Sequence, residues 1–297
     1  MIIVSLFGGL GNQMFQYACG KAIATKLDVE LKLDISHVID RNARKNFTYR
    51  EYELGVFNIK EEIATIEEVR QFIPNLWNSN EFIKQIYKLK RLFKGHSLFR
   101  EKLKFTYNKE VELVKDNTYL YGYFQTQKYF ESFRNELLQI FRLKNEIDTS
   151  NQNLISRMES ENSVSIHVRR GDYNNSPFEL LDIHEYYLKA IKLIQEHVES
   201  ASFYIFTNDY LWTEENFSFI DIQKHIININ NESQSFLDMI LMSNCKHNIC
   251  ANSSFSWWGA WLNNNPDKMV IAPKMWFKKT EGIKSTYDLI PLDWITI

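Results

Sequence analysis

The run Ser163-Val164-Ser165-Ile166-His167-Val168-Arg169-Arg170-Gly171 constrains the fold more than any other part of the chain. Its strict alternation reads as a strand: Val164, Ile166 and Val168 point one way, Ser165, His167 and Arg169 the other. Strands covered on both faces by βαβ crossovers are normally continuous apolar runs. Here one face carries an imidazole and a guanidinium just ahead of a glycine turn. Open α/β sheets bind ligands at the carboxyl ends of their strands, so this run marks a candidate site. Two adjacent arginines suit a doubly charged oxyanion, because a guanidinium bonds phosphate oxygens in bidentate fashion. A surface ion-pair cluster with Asp172 is the plainer alternative.

The remaining text extends this α/β pattern on both sides. Ile2–Leu6 reads as a buried strand, Phe7-Gly8-Gly9-Leu10-Gly11-Asn12 as a tight loop, Gln13–Lys26 as a helix and Val29–Asp34 as a second, alternating strand. Glycines between a strand and a helix N-terminus let backbone amides approach an anion. The dinucleotide fingerprint is incomplete, since Met14 stands where its third glycine belongs, but Asp34 lies where a ribose-binding acid would. Asn12 is either a plain N-cap or an amide offered to a substrate. Ala64–Phe72 and Phe82–Phe93 read as amphipathic helices around Pro74, Tyr119–Gln125 as an aromatic strand and Lys128–Phe141 as a helix. The polar stretch from Lys144 to Ser163 sets a boundary between domains 1–150 and 151–297, a length that suits two domains of about 150 residues each.

In the second half, a helix runs from His184 to His197 and a strand from Phe203 to Phe206, ending in Thr207-Asn208-Asp209. In the helix Ser235–Asn244, Asp238 shares a face with Leu241, Met242 and Cys245, and a buried acid needs a partner. The strand Asn248–Ala251 runs into Asn252-Ser253-Ser254-Phe255-Ser256 and then a Trp-rich helix. Capping needs one serine and three are present, which suits a phosphate cradle at the helix N-terminus. Met269–Ala272 is a further strand. Arg169-Arg170, Asn208-Asp209 and Ser253-Ser254 thus close three strands, with no Asp-x-Asp to hold Mg²⁺ against phosphates. Arginine and helix dipole would take the metal's place, as in a metal-independent transferase using a sugar nucleotide.

Composition narrows the partners. A formal charge of −2 gives no electrostatic reason to expect nucleic acid or an anionic membrane. Lys84, Lys88, Lys90, Arg91, Lys94, Arg100, Lys102 and Lys104 make segment 84–104 basic, either as a solvated face or as a peripheral contact with acidic lipid or glycan. No apolar run approaches the ~20 residues that cross a bilayer, and the N-terminus reads as a strand and not a signal peptide. Cys19, Cys245 and Cys250 lie in apolar contexts and read as reduced thiols, which favours a cytoplasmic location. Cys245-x-His247-x-x-Cys250 lacks the second ligand pair of a zinc site. Aromatic residues at 14%, with seven Trp, suit sugar stacking or an aromatic core.

Three blocks, Phe7–Tyr17, His167-Val-Arg-Arg-Gly-Asp-Tyr173 and Asp238–Trp258, resemble the α-1,2-fucosyltransferases of glycosyltransferase family 11 in sequence and order. The resemblance implies a GT-B architecture of two Rossmann-like domains facing a cleft, an N-terminal acceptor-side domain and a C-terminal GDP-fucose-binding domain. It implies inverting transfer to a galactose-terminated glycan with no metal and no cofactor beyond the donor. Arg169 would bind the diphosphate with His167 beside it, and Asp238 the guanine. Ser253 and Ser254 would bind phosphate, and the loop of Gly9, Gly11 and Asn12 would face the reacting sugar; Asn208, at the neighbouring strand end, and Phe255, beside the serines, are further donor-binding candidates. Catalytic roles fall to Arg169, Asn12, His167 and Asp172, the base being Asp172, Glu179 or neither. Another linkage, a non-catalytic GDP-sugar or glycan binder, and an NAD-dependent oxidoreductase built on Gly9-x-Gly11 and Asp34 are the alternatives.

Overall fold

The computed structural model describes residues 1–39, 50–73, 95–170, 183–218, 220–277 and 286–297. It divides into two compact units, Met1–Lys144 with Ile283–Leu289, and Asn145–Gly282 with Ile290–Ile297. The expected helix Phe82–Phe93, most of the basic segment, Asp172 and Glu179 lie outside the described residues.

The first unit contains β1 (Ile2–Ser5), α1 (Leu10–Leu27), β2 (Leu31–Asp34), β3 (Glu62–Ile63), α2 (Ile66–Phe72), β4 (Ser97–Arg100), β5 (Thr118–Tyr121) and α3 (Arg134–Ile140). Its five strands pair in parallel in the order β3-β2-β1-β5-β4. Succession runs outward from β1 to β3, then restarts on the other side. The switch point therefore lies between β1 and β5, where an open sheet leaves a crevice. The aromatic strand is shorter than its sequence suggests, because the chain turns at Gly122 and Phe124 takes a left-handed φ of 53°. The expected helix from Lys128 begins instead as two 3₁₀ turns, Gln127–Tyr129 and Glu131–Phe133. Phe130 between them is fully buried, with its ring 6.0 Å from that of Phe15.

The second unit follows with α4 (Thr149–Ser160), β6 (Asn162–Val168), α5 (Ile183–His197), β7 (Ala201–Thr207), α6 (Tyr210–Phe217), β8 (Lys224–Ile227), α7 (Ser235–Asn244), β9 (His247–Ile249), α8 (Ser254–Leu262), β10 (Val270–Ala272) and β11 (Ile295–Thr296). Six parallel strands are ordered β11-β10-β9-β6-β7-β8, with the switch point between β6 and β9. The apolar face of β6, made by Val164, Ile166 and Val168, packs with Tyr187, Ile191 and Ile194 of α5. On the other side α7 lies close against α8: a Cβ at Gly259 would come within 3.0 Å of Met242 Cβ. Both units are thus α/β, parallel sheets flanked by helices, the two Rossmann-like folds of the GT-B type.

Asp34 overturns the oxidoreductase alternative. It is only 1% exposed and accepts hydrogen bonds from Ser36 N–H (2.9 Å), Ser36 Oγ (2.5 Å) and Tyr119 Oη (2.5 Å). Its carboxylate is spent inside the unit and cannot reach a ribose. Tyr119→Phe removes one donor from this buried acid and is expected to cost about 1.5–3 kcal/mol. Denaturant unfolding checks this; an unchanged midpoint would show that Ser36 alone satisfies Asp34.

Candidate functional site

A sheet buried on both faces normally rejects polar side chains, and β6 keeps them by pairing them. Ser165 Oγ accepts from Asn248 Nδ2 at 2.7 Å, and the same amide donates to the Met242 carbonyl at 2.8 Å. Asn263 Nδ2 then donates to Asn248 Oδ1 at 2.8 Å and to the Cys245 carbonyl at 2.8 Å. The polar face thereby ties β6 and β9 to the ends of α7 and α8. His167 is the last residue on that face. It is 4% exposed, and its Nδ1 has no hydrogen-bond partner among the described residues. Burial, reinforced by the neighbouring Arg169 charge, pushes its pKa down to about 3. His167 is therefore a neutral imidazole, able to offer a hydrogen bond but not a positive charge. Tyr187 Oη fixes this strand end by donating to the His167 carbonyl at 2.6 Å.

The strand stops at Val168, so the two arginines part company. Arg170 N–H donates to Asn208 Oδ1 at 2.8 Å, and its Nε lies 3.3 Å from Asp209 Oδ2. Its guanidinium stacks 3.8 Å from the centre of the Trp212 ring. Arg170 is thus committed to joining β6 with the β7–α6 turn, where Asp209 also caps α6 through Trp212 N–H. Arg169, half-buried, stands at the switch point beside His167. Asn208 belongs to the same strand-end cluster.

On the other side of the switch point, β9 leads into α8. Ser253 is the N-cap, its Oγ accepting from Phe255 N–H at 3.3 Å. Ser256 turns inward, where its Oγ accepts from Ala251 N–H at 3.2 Å. Of the three serines, then, two hold the helix start together and Ser254 is left half-buried at its mouth. The Phe255 ring lies 5.6 Å from that of His167, so β6's polar end meets the α8 N-terminus. Cys245 and Cys250 are buried, with burial pushing both thiols up, and His247 Nδ1 accepts from Met269 N–H at 3.0 Å. Among the described residues no group of three His, Cys, Asp or Glu is placed to hold a metal ion.

Asp238, on α7, is half-buried and accepts from Asn230 Nδ2 at 2.7 Å. Burial pushes its pKa up to about 6, with the Asn230 bond pulling the other way. A carboxylate so placed suits a ligand that brings two donors.

The glycine loop of the first unit differs in kind. Gly8 has a φ of 77°, and Asn12 folds back so closely that a Cβ on Gly8 would lie 2.5 Å from Asn12 Nδ2. The α1 N-terminus already holds a carboxyl group of the chain: Glu53 Oε2 accepts from Leu10 N–H at 3.1 Å. Burial raises the Glu53 pKa, against the pull of Arg50 and of that amide. The buried Gln13 bonds the carbonyls of Gly8 and Glu51 and accepts from Glu53 N–H. Gly9 and Gly11 thus frame a filled helix end, and Asn12 Oδ1 accepts from Gln125 Nε2 at 2.7 Å across the β1–β5 switch point. Beside this amide pair, Phe7 packs edge-on to Tyr123 at 4.8 Å and obliquely to Tyr121 at 5.4 Å. Glu101 Oε2 accepts from the amides of Tyr123 and Phe124, and burial lifts its pKa to about 7. Of the basic segment, Lys102 pairs with Glu110, and Arg100 and Lys104 lie over the rings of Tyr121 and Tyr123. Among the described residues no helix is long and apolar enough to cross a membrane.

Sequence reasoning had no sight of Glu53, Gln125, Glu101 or Asn230, all of which act across long sequence separations or from featureless polar text. The chain is 34% identical to the O-antigen biosynthesis glycosyltransferase WbnK of Escherichia coli over 98% of its own length and 99% of that protein. It is 33% identical to an alpha-1,2-colitosyltransferase of Escherichia coli over 100% and 99%. A bovine (Bos taurus) galactoside alpha-(1,2)-fucosyltransferase 2 is 26% identical over 48% of this chain and 44% of that one. Among solved structures, an arginine-to-lysine mutant of Arabidopsis thaliana FUT1 in complex with GDP shares the fold, with a TM-score of 0.54 at 10% identity over 97% of this chain and 72% of that one. The profile described as glycosyl transferase family 11 matches residues 1–297, and the chain belongs to that family.

Proposed function

We propose that this protein transfers L-fucose from GDP-β-L-fucose to the 2-hydroxyl of a terminal galactoside, with inversion and without a metal ion. The observation that carries the reading is the meeting, at one switch point, of Arg169, the neutral His167 and the N-terminus of α8. The α-1,2 linkage is supported by relatives named for it, the colitosyltransferase over the whole chain and the bovine fucosyltransferase over about half.

In this mechanism the bond between fucose C1 and the β-phosphate oxygen breaks, and its electron pair leaves with GDP. The acceptor's 2-oxygen bonds to C1 from the opposite face of an oxocarbenium-like transition state, as in glycoside chemistry. Negative charge grows on the diphosphate. Arg169, the α8 amides and Ser254 are the proposed donors to it, and donors held by the fold need no reorganisation as the charge develops. His167 adds a neutral hydrogen bond, and Asp238 reads guanine through its N1–H and 2-amino group. In the first unit, Asn12 and Gln125 with the Phe7–Tyr123 rings offer amides and aromatic edges to a neutral sugar, since Glu53 already fills the anion position. Asp172 and Glu179 remain the proposed acceptors of the 2-hydroxyl proton.

Incubation with GDP-fucose and a lactose-type acceptor, with linkage read by NMR, tests the proposal. Fucose on the galactose 2-oxygen, formed undiminished in EDTA, is the expected result. A different linkage would move the acceptor assignment, GDP binding without turnover would leave a binder, and Mn²⁺-dependent activity would overturn the metal-free mechanism. A parallel arm with the GDP-linked 3-deoxy analogue, colitose, addresses the second donor to which a full-length relative points.

Arg169→Ala is expected to lower kcat at least a hundredfold, about 3 kcal/mol, typical of losing one donor to a developing oxyanion. Arg169→Lys should rescue little, because a point charge does not replace the bidentate fork. Arg170→Ala, which loses the Asp209 and Trp212 contacts, should lower the melting temperature more than turnover. Full activity in the Arg169→Lys variant would reduce Arg169 to a general positive field.

Asp238→Asn keeps the shape but sets an amide donor against guanine's donors. Calorimetry should find GDP affinity weakened by roughly 2–4 kcal/mol at an almost unchanged melting temperature. Intact GDP affinity with a lower melting temperature would make Asp238 a structural partner of Asn230 instead.

A further inference from the structure

Four side chains of the second unit form a hydrogen-bonded chain that ends on Asp238. Asp148, the N-cap of α4, accepts from Asn151 N–H at 3.1 Å and from Asn151 Nδ2 at 2.7 Å. Asn151 Nδ2 also donates to Asn230 Oδ1 at 2.9 Å, and Asn230 Nδ2 returns a bond to Asn151 Oδ1 at 3.1 Å. The second hydrogen of Asn230 Nδ2 goes to Asp238 Oδ1 at 2.7 Å. Asn151 is 2% exposed, so the chain is anchored in the interior.

The donor inventory fixes every orientation. Each asparagine amide has two N–H groups, and all four are spent here. Turning the Asn230 amide over would press its oxygen against the Asp238 carboxylate and against Asn151 Oδ1. The two amides therefore have one orientation, paired with each other and each donating outward to a carboxylate, Asn151 to Asp148 and Asn230 to Asp238. Its last link is a neutral donor. A lysine there would pair with Asp238 and compete with any ligand, whereas an amide orients the carboxylate and leaves its full negative charge. One carboxylate accepts about four hydrogen bonds, so both oxygens keep capacity for a ligand's donors.

We propose that Asn230 is a positioning residue for base recognition, holding the Asp238 carboxylate in the orientation that meets guanine's N1–H and 2-amino group. The assignment rests on the reading of Asp238 as the guanine-binding residue. Asn230 also keeps Asp238 ionised, because a hydrogen bond to the charged form opposes the upward push of burial. Of the elements packed on α7, α8 carries no titratable side chain; α4 is capped by Asp148, already bonded to Asn151, and carries Glu159 and Arg157, the latter paired with Glu161; and the turn before α7 carries Glu232. Burial and the Asn230 bond are what set Asp238.

The test is calorimetric binding of GDP and of inosine diphosphate to the full chain between pH 5 and 8. Inosine diphosphate keeps the diphosphate and N1–H but lacks the 2-amino group, so the ratio of the two affinities cancels phosphate titration. The wild type should prefer GDP, and that preference should fade as pH drops through about 6, where Asp238 takes up its proton. Asn230→Ala should weaken GDP at least tenfold, shrink the preference over inosine diphosphate and move the fading to higher pH. Asn230→Asp, isosteric but lacking the donor, should move it further and serves if the Ala variant does not fold. A folded Asn230 variant with wild-type preference and pH profile, beside an Asp238→Asn variant impaired in GDP binding, overturns the positioning role alone. Intact GDP binding in Asp238→Asn overturns the guanine reading and this proposal with it.

Discussion

The second unit depends on keeping one polar face of β6 inside a doubly covered sheet. A buried hydroxyl or amide left unpaired costs roughly 1–3 kcal/mol. Ser165 escapes that cost through Asn248, and Asn248 through Asn263 and the Met242 carbonyl. The ladder also joins the elements that carry the candidate ligand groups: β6 brings His167, α7 brings Asp238 and α8 is capped by Ser253. Moving any one of them would break a bond in the interior. Where the ladder ends, the His167 Nδ1 has no partner among the described residues, and that is where a ligand is expected.

The two units use the same topology to different ends. Each has a switch point with a helix N-terminus beside it, and a helix N-terminus attracts negative charge. In the first unit the chain answers with its own Glu53 at Leu10 N–H. In the second, α8 starts with serines and has no acidic residue in its first turn. A diphosphate would have to displace the Glu53 carboxyl, beside Arg50, at the first, and would meet no such competitor in the first turn of α8. What the first unit offers instead is the Asn12–Gln125 amide pair among tyrosine and phenylalanine rings, groups suited to a neutral sugar.

Much of this was legible in local sequence. The alternation of 163–168, the turn residues that follow and the apolar strand at 203–206 give strands and their carboxyl ends, because those signals are local in the chain. Asp238 stood out because a single carboxylate interrupts an apolar helix face. What stayed hidden depends on partners far away in sequence. Arg170 reads like Arg169 until the end of β6 at Val168 turns it toward Asp209 and Trp212. Asp34 matches a ribose-binding acid by position, yet Tyr119, 85 residues on, occupies it. Strand β4 was masked by its basic neighbours, since it is half-covered at the sheet edge and pairs only with β5. Glu53 and Asn230 lie in polar stretches with no periodicity to mark them.

The proposed binding place of the nucleoside diphosphate is the β6–β9 switch point of the second unit, not the glycine loop of the first. Hydrogen–deuterium exchange with and without GDP measures this directly, because both regions report through backbone amides at a helix start. GDP addition is expected to slow exchange at Ser254–Trp257 and to leave Leu10–Gln13 unchanged. Protection at Leu10–Gln13 with none at Ser254–Trp257 would contradict it.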